Sequence, residues 1–195
     1  NSERGMYTKS DMRDNYSVFV EHNVKLGKLA VSLGALFNYN TAFGNDVMPG
    51  IDVSYRVSKY WLTYASYNKS FRFPTYTDLY YNLGGAMGSS TLRPEYSYNY
   101  ELGAKRISNK SFVGLTVFRR EGKDLIDWLQ WQPDSIYAEN LTQVNMNGFT
   151  AEFGLHSFEN AQWLNRVSLS YNLLVAEEIP IDYPSLYVLD YLRNK

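Results

Sequence analysis

Apolar and polar residues alternate at a period of two along most of the chain. Between residues 96 and 105, for example, a tyrosine, leucine or alanine occupies every second position, and a polar residue or glycine lies between them. This is the period of a β-strand with one apolar and one polar face, whereas a helix repeats every 3.6 residues. The pattern predicts nine strands, at residues 16–26, 29–39, 49–57, 61–72, 96–108, 111–122 with a continuation to 131 left open, 137–157, 162–174 and 186–195.

The lengths of the predicted strands and connections add a second signal. Several strands exceed ten residues, which suits a strand crossing a ~25 Å apolar band better than the strand of about 5–6 residues usual in globular proteins. The connections alternate between short ones, at 27–28, 58–60, 108–110 and 157–161, and longer ones, at 40–48, 73–95, 132–136 and 175–185. Short periplasmic turns and long outer loops are typical of outer-membrane barrels. The longer loops are therefore expected to face outward.

Composition excludes several classes of protein. The 195 residues contain 19 Lys and Arg against 20 Asp and Glu, which argues against a nucleic-acid binder. No apolar run approaches the ~20 residues of a membrane-spanning helix. The mean hydropathy of -0.39 is still compatible with a membrane β-barrel, because the two faces of its strands average out.

The sequence lacks the constellations that catalysis requires. It has no cysteine, and its two histidines, His22 and His156, are far apart. It also has no nucleophile elbow, no phosphate-cradling glycine loop and no carboxylate pair that the pattern places in one pocket. We therefore predict no enzyme activity, no cofactor and no metal site.

Aromatic residues make up 16% of the chain. Six of them lie near predicted strand ends or in rows that could form interfacial girdles, where amphipathic rings suit the membrane interface: Trp61, Trp128, Trp131, Trp163, Tyr98 and Tyr100. Alternation is equally expected of a soluble antiparallel sheet with one solvated face. A soluble all-β module that binds a ligand such as a carbohydrate therefore stays open as an alternative.

Four sequence elements carry a resemblance to a known family. The segment 70–81 reads SFRFPTYTDLYY, and it is followed by LRPE at 92–95 with YELGAK at 100–105. Next come VFRR at 117–120 with DLIDW at 124–128, and then YAEN at 137–140 with GFTAE at 148–152. In this order the elements resemble the barrel of TonB-dependent outer-membrane receptors.

The resemblance implies an all-β fold, an antiparallel up-and-down meander that forms part of a transmembrane β-barrel. Barrels of this family are 22-stranded, so about nine strands are a part of one. Residues 1–195 are accordingly expected to be a fragment of the C-terminal half of the barrel domain, with the plug domain absent. The implied location is the outer membrane of a Gram-negative bacterium.

The same resemblance implies a function and partners. The full-length protein is expected to take up a scarce nutrient with high affinity: an iron chelate, cobalamin, a glycan or a peptide. Its partners would be outer-membrane lipid, its own plug domain, the TonB complex reached through the plug, and the small nutrient, with no nucleic acid. A passive porin-like barrel is the other alternative.

The outer loop after residue 72 holds the candidate ligand-binding residues. Pro74 is expected to end the strand because it lacks an N–H group, and Thr77 to Leu79 are expected to cap a short helical turn. Arg72 falls in the polar row and is expected to point inward. Glycines 84, 85 and 88 are expected to give the loop mobility. The candidate ligand contacts are Arg72, Tyr76, Asp78, Tyr80 and Tyr81; packing of the loop or an outer aromatic girdle stays open as the alternative role of the three tyrosines.

Overall fold

The computed structural model describes residues 12–156 and 166–177. These residues form ten strands and one short helix. In chain order the elements are β1 (Asn15–Leu26), β2 (Leu29–Asn40), β3 (Gly44–Arg56), β4 (Trp61–Arg72), α1 (Tyr76–Tyr80), β5 (Asn82–Leu83), β6 (Ala86–Met87), β7 (Glu95–Ile107), β8 (Ser111–Gln132), β9 (Ser135–His156) and β10 (Arg166–Ala176).

The eight long strands form one antiparallel meander. Each pairs with the next in the order β1-β2-β3-β4-β7-β8-β9-β10, and the small strand β6 pairs in parallel with the start of β9. The fold class predicted from the alternation is thus confirmed. Within the described residues, β1 and β10 are the edges of this sheet.

The pairing register lines up equivalent side chains across all eight long strands. One row is entirely apolar: Val24, Val31, Val53, Ala65, Leu102, Val117, Phe149 and Leu173. The adjacent row, on the other face, begins with five polar residues: Asn23, Ser32, Asp52, Ser66 and Glu101. The sheet is therefore a two-faced wall, which we call the wall, with a belt of exposed apolar side chains on one face.

Two predicted loops are wrong. The predicted loop 40–48 is only a turn at residues 41–43, because β3 begins at Gly44 and pairs along β2. The predicted loop 132–136 is a turn at residues 133–134, because β8 and β9 continue well past the end of β7. The continuation of β8 left open by the pattern is therefore present. The strand at 186–195, the turn at 157–161, most of loop 175–185 and residues 162–165 lie outside the described residues.

The aromatic residues predicted to border a membrane divide into two groups. Trp61 and Tyr100 are 44% and 40% exposed, as expected of such a border. Trp128 is instead buried at 8% exposure, so its predicted place in an interfacial girdle is wrong. Tyr98 is half-buried with the Lys123 ammonium 5.1 Å from its ring centroid. The side chain of Trp131 and all of Trp163 lie outside the description.

The end of the sheet at Arg72 and Glu95 carries a separate substructure. We call residues 73–94 the outer loop, which contains α1, β5 and β6, and residues 124–140 the hairpin extension, where β8 and β9 pair beyond the end of β7. The outer loop packs on the hairpin extension, and β6 pairs with it through Ala86 and Ile136. Together they form the outer cap.

Candidate functional site

The outer loop begins with a local signal for a helix. Pro74 follows β4 and cannot donate to the strand ladder, so the chain leaves the sheet there. The Thr75 hydroxyl accepts a hydrogen bond from the Asp78 N–H at 3.1 Å, and the Asp78 carboxylate accepts one from the Thr75 N–H at 2.9 Å. This reciprocal pair is a capping box. The N-cap of α1 is therefore Thr75. Of the segment predicted to cap the helix, Thr77 to Leu79, Asp78 takes part in the cap through its side chain, whereas Thr77 is not the N-cap.

Arg72 joins the helix start to the next long strand. Its Nε and one terminal nitrogen donate to the two Glu95 carboxylate oxygens at 2.6 and 2.7 Å. The other terminal nitrogen donates to Asp78 Oδ2 at 3.4 Å. Arg72 ends β4, beyond the apolar belt, and its hydrogen bonds to Glu95 raise the pKa of the guanidinium above its usual value. Because the bidentate geometry fixes the guanidinium plane, these contacts hold the outer loop against the start of β7.

A second set of bonds fixes the hairpin extension. Asp124 has a positive φ of 53° and directly follows Lys123, the last residue of β8 that pairs with β7. The Asn140 amide accepts from the Arg93 N–H at 2.8 Å and donates to the carbonyls of Arg93 and Asp124 at 3.0 and 2.6 Å. The Ile126 N–H donates to Glu95, and Arg93 forms an ion pair with Asp124. Asn140 thus supplies a side-chain substitute for the backbone partner that β8 loses there.

A small hydrophobic core holds the outer cap together. Its buried members come from the outer loop and from both strands of the hairpin extension: Leu79, Leu92, Ile126, Trp128 and Ala138. The Tyr81 ring meets the Trp128 ring edge-on, at 6.1 Å between centroids. The cap therefore has a closed apolar interior of its own, unlike the wall.

Two of the three loop glycines, Gly85 and Gly88, are points of close contact. Gly84 and Gly85 both have positive φ, which suits the tight turn between β5 and β6. A Cβ atom on Gly85 would overlap the Asp134 carbonyl, and one on Gly88 would lie 2.6 Å from the Asp78 carbonyl oxygen. These two glycines let the outer loop approach the hairpin turn and α1, which is a packing role and differs from the mobility predicted from sequence.

A cleft of about 700 Å³ lies between α1 and the hairpin extension. Its lining combines apolar and aromatic side chains with a few polar groups: Arg72, Thr75, Thr77, Asp78, Tyr81, Ala86, Ile126, Trp128 and Ile136. This size and composition are usual for small-molecule sites, which are mostly apolar with a few polar groups that orient the ligand. The cleft is the candidate functional site.

Neither a metal cluster nor a membrane-spanning helix accompanies the cleft. Across residues 12–156 and 166–177, no three His, Cys, Asp or Glu side chains are grouped so that they could hold a metal ion. No helix in the described part of the chain is long and apolar enough to cross a membrane.

Comparison with protein families decides the classification. The family described as TonB dependent receptor-like, beta-barrel, matches residues 2–190, nearly the whole chain. The chain belongs to this family of TonB-dependent receptors. A curated relative, the vitamin B12 transporter BtuB of Vibrio vulnificus (strain YJ016), is 24% identical over 147 residues, which cover 75% of this chain and 23% of that protein.

Solved structures of TonB-dependent receptors share the fold. The siderophore receptor PirA of Pseudomonas aeruginosa superposes with a TM-score of 0.73 and 21% identity over 89% of this chain and 34% of that one. The ferric enterobactin receptor PfeA of the same species, in a complex with BCV-L6, gives a TM-score of 0.68 and 19% identity over 85% and 27%. The chain thus spans about a quarter to a third of the length of these relatives, which are transporters or receptors.

The family motifs meet in one place. Each of the four sequence elements that carry the resemblance to TonB-dependent receptors contributes a side chain or backbone group to the two sets of bonds described above. The groups are Arg72 and Asp78 from the first, Arg93 and Glu95 from the second, Asp124 and Ile126 from the third, and Asn140 from the fourth. We call this the motif junction. It seats the outer cap on the wall.

The structure separates the five predicted ligand residues. Arg72, Asp78 and Tyr81 line the cleft. Tyr76 and Tyr80 stack on each other at 6.3 Å outside the cleft lining, and the Arg13 guanidinium lies 4.7 Å from the Tyr76 ring centroid. A direct contact of any of the five with ligand stays a prediction.

Sequence reasoning missed the apolar half of the cleft. The sequence pattern leaves Ile126 in an open continuation of a strand, predicts Trp128 at the membrane interface and puts Ile136 in a loop. A signal for their role exists, because alternation stops beyond Asp124 and apolar residues occupy both parities of β8 there, at 125, 126, 128, 129 and 131. Ile126, Trp128 and Leu129 are all buried, so both faces of β8 are covered in the hairpin extension.

Proposed function

We propose that this chain forms part of the wall and outer vestibule of a receptor in the outer membrane of a Gram-negative bacterium. The receptor takes up a scarce small nutrient in a TonB-coupled reaction. The observation that carries the proposal is the cleft, formed where the motifs of a TonB-dependent receptor meet at the outer end of a two-faced wall.

The wall supports the membrane part of this proposal. Large apolar side chains remain exposed along one face, for example Leu102, Val117 and Leu169. Outer-membrane lipid is the partner that removes this surface from water. The opposite face carries polar groups such as Asp52 and Glu101, which suit contact with water and with a plug domain inside the barrel. TonB would act through that plug.

The cleft supports the receptor part. Arg72, Asp78 and Tyr81 are proposed as ligand contacts from within the lining, and the neighbouring stacked pair Tyr76 and Tyr80 as contacts beside it. Iron chelates, cobalamin, glycans and peptides are the nutrient classes considered. Relatives described as a vitamin B12 transporter and as siderophore receptors favour the first two.

Nutrient uptake tests the proposal. The full-length receptor is expressed in a strain deleted for it, and uptake of labelled cyanocobalamin and of ferric siderophores is measured with and without a functional TonB. We expect saturable uptake that disappears without TonB. Uptake that continues without TonB, rising linearly with concentration, would indicate a passive pore instead.

A matched pair of variants tests whether the cleft belongs to the nutrient-binding site. Tyr81→Ala removes an aromatic wall of the cleft and is expected to raise the half-saturation concentration about tenfold, which corresponds to ~1.4 kcal/mol. Leu83→Ala changes an exposed residue of the same loop outside the lining and should leave uptake unchanged. Equal effects of the two substitutions would remove the cleft from the binding site.

A further inference from the structure

The charges around the cleft are largely neutralised among themselves. The Arg72 guanidinium faces two carboxylates, Glu95 and Asp78, so the three groups sum to one negative charge. The Arg72 side chain is 48% exposed, whereas those of Asp78 and Glu95 are 11% and 12% exposed. The cleft therefore presents N–H groups at its surface, with an excess of negative charge directly behind them.

This arrangement disfavours a charged ligand of either sign. An anion would approach a site whose net charge is negative, which is unfavourable. A cation would first meet the exposed guanidinium, which carries a positive charge. Three of the five N–H donors of Arg72 bind Glu95 and Asp78. The half-exposed guanidinium still has N–H groups for an uncharged acceptor such as a carbonyl, amide or hydroxyl oxygen.

The rest of the lining favours a ring. Tyr81 and Trp128 meet edge-on, and Ile126, Ile136 and Ala86 add apolar surface. Aromatic and aliphatic walls bury a flat ring efficiently. The exposed Thr77 hydroxyl lies on the same lining and adds one more neutral polar group.

We infer that the cleft is a subsite for an uncharged, ring-bearing part of the nutrient, with a hydrogen-bond acceptor directed at Arg72. The inference rests on the proposed function and adds to it the charge of the part of the nutrient that the cleft binds. It places any charged part of the nutrient outside this cleft.

Three probes test the inference: benzamide, benzoate and benzamidine. Each has one aromatic ring, and at neutral pH they are uncharged, negatively charged and positively charged, respectively. The chain contains no cysteine, so a Thr77→Cys substitution in the full-length receptor places a thiol on the cleft lining. The rate at which a neutral thiol reagent modifies it is measured with each probe. Ala86→Cys is the second position, and Leu83→Cys, exposed and outside the lining, is the control.

The expected result is selective protection by the neutral probe. A ring compound of this size binds a good cleft with a Kd of roughly 10 mM, so 30 mM benzamide should slow modification about fourfold. Benzoate and benzamidine should slow it less than about 1.5-fold at the same concentration, and no probe should affect the control. Equal or better protection by either charged probe, or no protection by benzamide at either position, would overturn the inference.

A charge variant tests the cause. Glu95→Gln keeps an acceptor for the Ile126 N–H but removes one negative charge beside Arg72. Benzoate should then protect at least as well as benzamide, and Asp78→Asn should shift the ranking in the same direction. An unchanged ranking in both variants would overturn the inference. A receptor with TonB-dependent uptake that failed this test would lose the inference and keep the proposed function.

Discussion

The wall and the outer cap share long β-strands, but their apolar side chains are exposed in the wall and buried in the outer cap. In the wall the apolar positions point away from the protein: no residue of β1 is buried, and Leu102 in β7 is 60% exposed. In the outer cap the apolar positions of the same strands turn toward the outer loop, and Leu79, Leu92 and Trp128 are buried together. The wall requires an apolar surrounding for its exposed face, whereas the outer cap buries its apolar side chains against one another.

The difference shows what alternation alone does and does not specify. A two-residue period fixes that a segment is a strand with two unlike faces. It does not fix which medium each face meets. In β8 the environment changes at Asp124, where a positive φ and the end of pairing with β7 coincide with the start of a segment that has apolar residues of both parities.

The two tryptophans Trp128 and Trp61 provide the largest expected contrast. Trp128→Ala empties the core of the outer cap and should cost about 3–5 kcal/mol of cap stability. Trp61→Ala, on the exposed rim of the wall, should cost under about 1 kcal/mol. In the full-length receptor, hydrogen exchange of the outer-loop amides measures the first loss and that of the β4 amides measures the second. Similar losses from the two substitutions would contradict the distinction between the regions.

A charge placed on each face of β7 probes the wall. Leu102→Arg puts a cation in the apolar row and should destabilise the folded receptor in lipid by about 2–4 kcal/mol. Glu101→Arg puts the same side chain on the polar face and should cost under about 1 kcal/mol. Denaturant titration in vesicles gives both values. If Glu101→Arg were the more damaging substitution, the assignment of faces would be reversed.

The motif junction predicts an intermediate effect confined to the outer cap. Glu95→Ala leaves Arg72 with only Asp78 and removes the acceptor of the Ile126 N–H, for an expected cost of about 1.5–3 kcal/mol. Glu101→Ala removes an exposed acid from the same strand and serves as the control. Hydrogen exchange at Ile126 should accelerate strongly in the first variant only. Protection unchanged by Glu95→Ala would mean that the junction does not hold the cap.

The smallest effect is expected where the start of the described chain meets the outer loop. Arg13 donates to the Pro74 carbonyl at 2.7 Å and lies over the Tyr76 ring. Arg13→Ala should cost about 0.5–1 kcal/mol, the lower part of the range for cation–π contacts. Arg13→Lys keeps the charge and should lose less. The readout is the proteolysis rate of residues 12–16, and a larger loss for the lysine variant would argue against stacking.

The strands were predictable because their determinants are local. Alternation predicted the eight long strands of the described residues to within a few positions, apart from the start of β3 and the extension of β8 beyond residue 122. The predicted start of the last of these strands, at residue 162, lies outside the described residues. The loop at 40–48 was misjudged because Gly44, Asn45 and Asp46 have turn-like composition, yet pairing with β2 makes them a strand. The same holds at 132–136, where pairing between β8 and β9 continues to the two-residue turn.

The site was less predictable because its contacts are distant in sequence. Arg72 and Asp78 were singled out as ligand residues, but their bonds to Glu95 and Thr75 became visible only in the fold. Trp128 lies far along the chain from Tyr81, and no local pattern pairs them. The family motifs identified the right segments without indicating that they meet at one junction.

Cysteine scanning with a quencher in the lipid phase tests the central claim most directly. Single labelled cysteines are placed at residues 99–102, 104 and 105 of β7 and at residues 125–130 of the hairpin extension in the full-length receptor. We predict strong quenching at 100, 102 and 104 and little at 99, 101 and 105. In the hairpin extension we predict no quenching at either odd or even positions. Quenching without alternation along β7, or equal quenching in the extension, would contradict a membrane wall that carries a self-contained outer cap.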